Sequence, residues 1–245
     1  MPALLPAHLA PLPSLRAPLR AALAAFANLL YPPLCLGCDA RVPSPELPLC
    51  PECLRTLPRA EPEALARTLS RLERLPPLRA AHALWAFDAG GTVQRLQHAV
   101  KYGGHEALGW RLGTLLAEAV DEAVWAGRDV RPEAVVPVPL ARLRRLERGY
   151  NQAEALAEGL ADALGVPLET AWLTRHAETR SQTRLSRQAR QQNLAGAFRA
   201  AEDAAGRRIL LVDDVLTTGA TLAEAARALG ALEADVAIAA LAAVA

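Results

Sequence analysis

The chain has 245 residues, enough for one α/β domain of ordinary size plus a small appendage. Hydrophobic residues make up 52%, ample for a core, and the formal net charge of +1 leaves no global field that would draw the protein to nucleic acid, although a local basic surface fits that balance. No run of 18 or more apolar residues occurs, so no membrane span is expected. Lys and Arg total 27, yet Lys101 is the only lysine. Either that position needs an ammonium, or the lysine is an accident of a bias that writes cations as arginine.

In chain order, residues 1–18 are rich in Pro, Leu and Ala and are expected to pack loosely. Residues 19–30, an apolar run behind Arg16, read as a short amphipathic helix docked on the body. A signal peptide is the alternative, but Tyr31-Pro32-Pro33 follows with no small-residue cleavage site, so a cytoplasmic location is expected. All four cysteines then fall in one window, Cys35-Leu36-Gly37-Cys38 and Cys50-Pro51-Glu52-Cys53, with eleven residues between the pairs. Two Cys-x-x-Cys knuckles suit a four-thiolate zinc site, structural because four thiolates leave no open position. Gly37 is expected to ease the first turn. Disulfides or a redox pair would use the same residues, but no odd cysteine and no export signal accompany them. A module this small would draw its folding energy from the metal.

Residues 58–80, with Pro58, Pro62, Pro76 and Pro77, read as a connection built on a helix over 63–75 that puts Leu65, Leu69 and Leu72 on one face. A strand is expected at 83–87 and a turn at 88–91, and then a helix capped by Thr92 that runs to about Val100 and breaks at Lys101-Tyr102-Gly103-Gly104. A long helix follows over 105–126. The apolar run 134–140 should end as regular strand near Val136, because Pro137 lacks an N–H. Arg142, Arg144, Arg145 and Arg148 then cluster within seven residues, and Asn151 starts a helix to about Leu164. The cluster is either a solvated basic face or charge for a phosphate, which a guanidinium meets in bidentate fashion. Residues 179–198 are polar, basic and poor in core residues; they read as a functional loop, or over 187–193 as a short helix facing nucleic acid. The remainder reads as strand 208–213, helix 221–232 and strand 236–244.

Residues 209–221 organise the chain. The apolar run Ile209-Leu210-Leu211-Val212 enters Asp213-Asp214, and a hydroxyl-rich turn, Thr217-Thr218-Gly219-Ala220-Thr221, leads into the helix. The run suits a buried parallel strand. A helix start offers unpaired N–H groups and the positive end of the macrodipole, which suits a phosphate. The carboxylates sit where open α/β sheets bind ligands and suit sugar hydroxyls or Mg²⁺. Phosphate, diol and metal together describe a phosphorylated ribose. A purely structural strand–turn–helix, or a receiver-like domain, would share the acid pair but not the Thr-rich turn.

This segment resembles the signature of the type I phosphoribosyltransferases, which bind phosphoribosyl pyrophosphate (PRPP). The resemblance implies that Asp213 and Asp214 hold the ribose hydroxyls, that Thr217, Thr218, Gly219, Ala220 and Thr221 cradle the 5-phosphate, and that Mg²⁺ accompanies PRPP. It also implies a pyrophosphate loop, here Pro137, Val138, Pro139 and Leu140, and a mobile basic loop to which Arg148, Gln182, Arg187, Arg190 and Asn193 are candidates. Four further features occur in order: the cysteine pairs, His98-Ala99-Val100-Lys101-Tyr102, Pro137 to Leu140 followed by Arg148-Gly149-Tyr150-Asn151-Gln152, and the run from Gln182 to Phe198. Together they resemble the ComF family of bacterial competence proteins. The resemblance implies an α/β fold with a mostly parallel sheet flanked by helices and a small zinc ribbon-like module. It divides the chain into a tail (1–30), the metal module (31–57), a linker (58–80) and a phosphoribosyltransferase-like domain (81–245). The implied role is uptake or processing of transforming DNA, with PRPP, single-stranded DNA and competence proteins as partners; a phosphoribosyl transfer to a small acceptor is the alternative. Purine-salvage relatives keep an acid where Thr217 stands, so their mechanism is not expected. Lys101 is the candidate catalytic group.

Overall fold

The computed structural model of the chain describes residues 32–72, 75–102, 106–125, 131–176 and 194–244, without the side chains of 121–125. The helix expected at 19–30 and the loop residues Gln182, Arg187, Arg190 and Asn193 lie outside the described residues.

Four parallel strands form the main sheet: β1 (Ala80–Ala86), β2 (Ala134–Pro137), β5 (Arg208–Leu216) and β6 (Asp235–Ala243), in the order β1-β6-β5-β2. The centre of the sheet is apolar on both faces because both are covered. Leu210 and Val212 of β5 face one core, with α3 (Thr92–Tyr102), α4 (Glu106–Trp125), α6 (Gln152–Leu164) and the cysteine module, where α1 (Pro51–Thr56) follows the second knuckle. Ile209 and Leu211 face the other, with α2 (Pro62–Ser70) and α7 (Ala220–Gly230). A short antiparallel pair, β3 (Leu173–Arg175) and β4 (Phe198–Ala200), packs on this second side.

Several boundaries differ from expectation, for physical reasons. Strand β2 continues through Pro137, and Val138 N still donates to Val212 O at 2.8 Å. Because β2 hydrogen-bonds to β5 alone within the sheet, the missing N–H of Pro137 can point outward. Thr92 does not cap α3; the Asp88 carboxylate accepts from Gln94 N at 3.0 Å instead. The arginine cluster is itself a helix, α5 (Arg142–Arg148), with no buried residue: even Leu143 and Leu146 are exposed, so no core face marks it. Lys101 and Tyr102 complete the last turn of α3 rather than breaking it.

The linker is part of the body. Arg59 bridges Trp85 antiparallel, Ala60 N donates to Leu84 O and Ala86 N donates to Pro58 O, so residues 58–60 lie along the free side of β1. On the far side of the sheet, Val135 and Leu168 form a bridge. Among the described residues, no helix is long and apolar enough to cross a membrane.

Candidate functional site: an acid pair and a sulfur cluster

Asp213 and Asp214 lie near the carboxyl end of β5, and residues 217–219 turn directly into α7. Gly219 caps that helix with φ +75, a conformation that favours glycine, and no side chain caps this end. A Cβ there would also stand 2.8 Å from Leu72 Cδ1. Thr217 is exposed, while Thr218 and Thr221 are half-buried; Thr218 Oγ1 meets Ala220 N only at 3.5 Å. The first N–H groups of α7 therefore open onto a turn lined with hydroxyls.

The acid pair is held tightly. Asp213 Oδ1 accepts from Asp214 N at 2.8 Å, and Asp214 Oδ1 accepts from Val215 N at 2.7 Å. Burial, and then the neighbouring Asp214 charge, pushes the Asp213 carboxyl well above the usual carboxylate range, with Lys101 acting in the opposite direction. Lys101 Nζ lies 3.0 Å from Asp214 Oδ2, with only 21% of its side chain exposed. Arg175, at the end of β3, was not legible as a site residue. Burial lowers its pKa and the Asp213 charge raises it, and its guanidinium lies 5.4 Å from the Phe198 ring centroid. A cation just before a polar run that ends in an aromatic was the available signal.

The second and third motifs meet around Lys101. Tyr150 Oη donates to Val100 O, and Arg148 lies over the Tyr102 ring at 5.6 Å, while donating to Gln152 Oε1 at 2.6 Å. Asn151 caps α6 by accepting from Ala153 N at 3.2 Å and donates from Nδ2 to Val138 O at 3.1 Å. The Arg148 to Gln152 motif thus clamps the end of α3 to the 137–140 segment, in which Pro137 and Val138 are buried and Pro139 and Leu140 half-buried. The arginines of α5 are largely engaged: Arg144 pairs with Glu147 at 3.1 Å and Arg145 with Glu154 at 3.3 Å.

In the cysteine module, the sulfurs of Cys35, Cys38, Cys50 and Cys53 all lie within 4.8 Å of one another. The Cys38 and Cys50 sulfurs are 3.8 Å apart. A tetrahedral ion with metal–sulfur bonds of about 2.3 Å sets sulfurs about 3.8 Å apart, so the donor set fits a metal. Gly37 serves this site by close approach rather than by unusual backbone, since a Cβ there would lie 2.6 Å from Cys53 Sγ. Burial pushes the Cys35 thiol up, but the N–H groups of Cys50, Gly37 and Cys38 outweigh it and bring it down to about 6. The Cys53 S–H donates to the Cys50 and Cys38 sulfurs, which favours its neutral form and pushes it up to about 12. The first thiol ionises readily and the last resists, so a bound cation is what would let all four serve as thiolates.

Residues 150–245 match the phosphoribosyl transferase domain family. With the parallel sheet and its acid-ended central strand, this defines a protein with a type I phosphoribosyltransferase-like fold and a four-cysteine module. The DNA utilization protein YhgH of Salmonella typhimurium is 33% identical over 196 residues, covering 80% of this chain and 83% of that protein. Competence protein F of Haemophilus influenzae is 41% identical over 121 residues, 48% of this chain and 53% of its own length. Competence protein ComFC of Bacillus subtilis is 38% identical over 96 residues, 39% of this chain and 37% of its own length. The chain belongs to the ComF family of competence-related proteins.

Proposed function

We propose that this protein binds PRPP with Mg²⁺ and acts in the handling of transforming DNA. The observation that carries the reading is the uncapped start of α7, placed behind Thr217 and Thr218 and just beyond two carboxylates on the same strand. In this reading the N–H groups and hydroxyls of 217–221 take the 5-phosphate, Asp213 and Asp214 take the ribose hydroxyls, and the 137–140 segment receives the pyrophosphate. Mg²⁺, when bound with PRPP, would neutralise pyrophosphate charge. The cysteine module holds one zinc ion as a structural centre. Relatives named for DNA utilization and competence support a part in DNA handling; in this reading the protein works in the cytoplasm on single-stranded DNA with other competence proteins.

Thermal melting tests the reading. PRPP with Mg²⁺ should raise the melting temperature, and the joint replacement Asp213→Ala, Asp214→Ala should remove most of that shift. A shift that survives both replacements would show the ribose site to be misplaced. Mass spectrometry of PRPP incubated with candidate acceptors, nucleic acids included, then separates binding from transfer.

A further inference from the structure

Asp214 is engaged by its own chain through both oxygens: Oδ1 accepts from Val215 N at 2.7 Å, and Oδ2 meets the Lys101 ammonium at 3.0 Å. A diol approaching this carboxylate meets the ammonium first. The backbone of Lys101 has little freedom to move aside. It stands in the last turn of α3 next to Val100, which is buried and whose carbonyl is held by Tyr150 Oη. Only the side chain can swing. Only 21% of its side chain is exposed, so an ammonium displaced from Asp214 needs another anion within reach. Asp213, the other carboxyl near it, takes the same diol in the ribose reading, and a neutral sugar brings no anion of its own; a phosphorylated one does.

We infer that Lys101 is a specificity-determining residue: its ammonium is the resident counter-ion of Asp214 and moves to a phosphate or pyrophosphate oxygen when a ribose diol takes the carboxylate. The site thereby requires diol and phosphate in one ligand. The inference rests on the ribose reading given above and adds to it the exchange of partners at Lys101. It also accounts for an ammonium here in a chain that otherwise writes its cations as arginine. A compact, rotatable point charge can change partners within one pocket, whereas a planar guanidinium is suited to a fixed bidentate pair.

The single lysine makes the test direct. Labelling with ¹³C,¹⁵N-lysine gives one side-chain Cε–Nζ signal, that of Lys101. The signal should move in Asp214→Asn without ligand, and should move in the wild type when PRPP and Mg²⁺ are added. By calorimetry, Lys101→Met should bind PRPP at least tenfold more weakly, and Lys101→Arg should recover part of that loss. A signal identical in wild type and Asp214→Asn overturns the ion pair. A wild-type signal unmoved by saturating PRPP, or a Lys101→Met affinity within twofold of wild type, overturns the exchange and leaves the ribose site standing. Failure of the wild type to bind PRPP at all overturns the ribose reading, and the exchange with it.

Discussion

The cysteine module and the end of β5 each gather ligand atoms of like charge, and each answers the repulsion differently. In the module, N–H donors bring Cys35 down to about 6, while Cys53 is pushed up to about 12. With Cys53 held protonated by its neighbours, a full set of thiolates would need a cation from outside. At β5 the cation is built in, because Lys101 meets Asp214 at 3.0 Å. The first arrangement would make a bound metal part of the fold. In the second, a ligand proposed to take Asp214 would have to compete with the chain.

Removing the metal should therefore have the largest effect. Chelation, or Cys35→Ser with Cys53→Ser, should lower the melting temperature by about 10 °C or more and abolish a stoichiometry of one zinc per chain, because binding a structural zinc is worth on the order of 10 kcal/mol. A melt indifferent to chelator would put the two regions on the same footing. Gly37→Ala comes next: its Cβ would crowd Cys53 Sγ at 2.6 Å, so zinc affinity measured by chelator competition should fall about ten- to hundredfold, a typical loss when a metal site's supporting residues change. Tyr150→Phe strips the donor from Val100 O and loosens the end of α3 that carries Lys101. The cost should be about 1–3 kcal/mol in denaturant unfolding, with weaker PRPP binding.

The smallest effect has the opposite sign. The pKa of Asp213 is raised in the folded state, so its contribution to stability is full below its ordinary value near 3.8 and is lost as pH rises through the folded value. At neutral pH this carboxylate weighs against the fold. Asp213→Asn keeps the oxygen that accepts from Asp214 N and should raise the melting temperature at pH 7, by about 2–4 °C for each 1 kcal/mol relieved, with the gain vanishing near pH 4. A variant less stable than wild type at pH 7 would remove the contrast between a fold that needs its ligand and one that bears a functional strain.

What the sequence revealed was mostly local. The apolar run into Asp213-Asp214, the glycine before α7 and the paired cysteines are short-range patterns with direct physical meaning, and each stands where it was expected. The contacts that make a site of them are distant. Lys101 and Asp214 are far apart in the chain, and the order β1-β6-β5-β2 brings them together through packing that no window of residues records. Strands β3 and β4 are three residues each, and both carry an arginine, so neither shows an apolar period that would single out Arg175. The arginines of 142–148 read as a solvated basic face or as charge for a phosphate; the residues just after them, Tyr150 and Asn151, form the clamp between α3 and the 137–140 segment, a contact that no local pattern records.

The strap at 58–60 gives the cysteine module a second duty. The outward N–H and C=O groups of an outermost strand are a template on which another molecule can add a strand of its own. Here the last residues of β1 are covered: Leu84 O accepts from Ala60 N, and Ala86 N donates to Pro58 O. The strap begins one residue after Leu57, which is buried together with Val42 and Leu49 of the module. Loosening the module would let the strap peel away and bare β1 while the remaining sheet still stood. If the module holds the proposed metal, self-association on its loss is the expected outcome, and light scattering should rise after chelation before the far-ultraviolet signal of the sheet is lost.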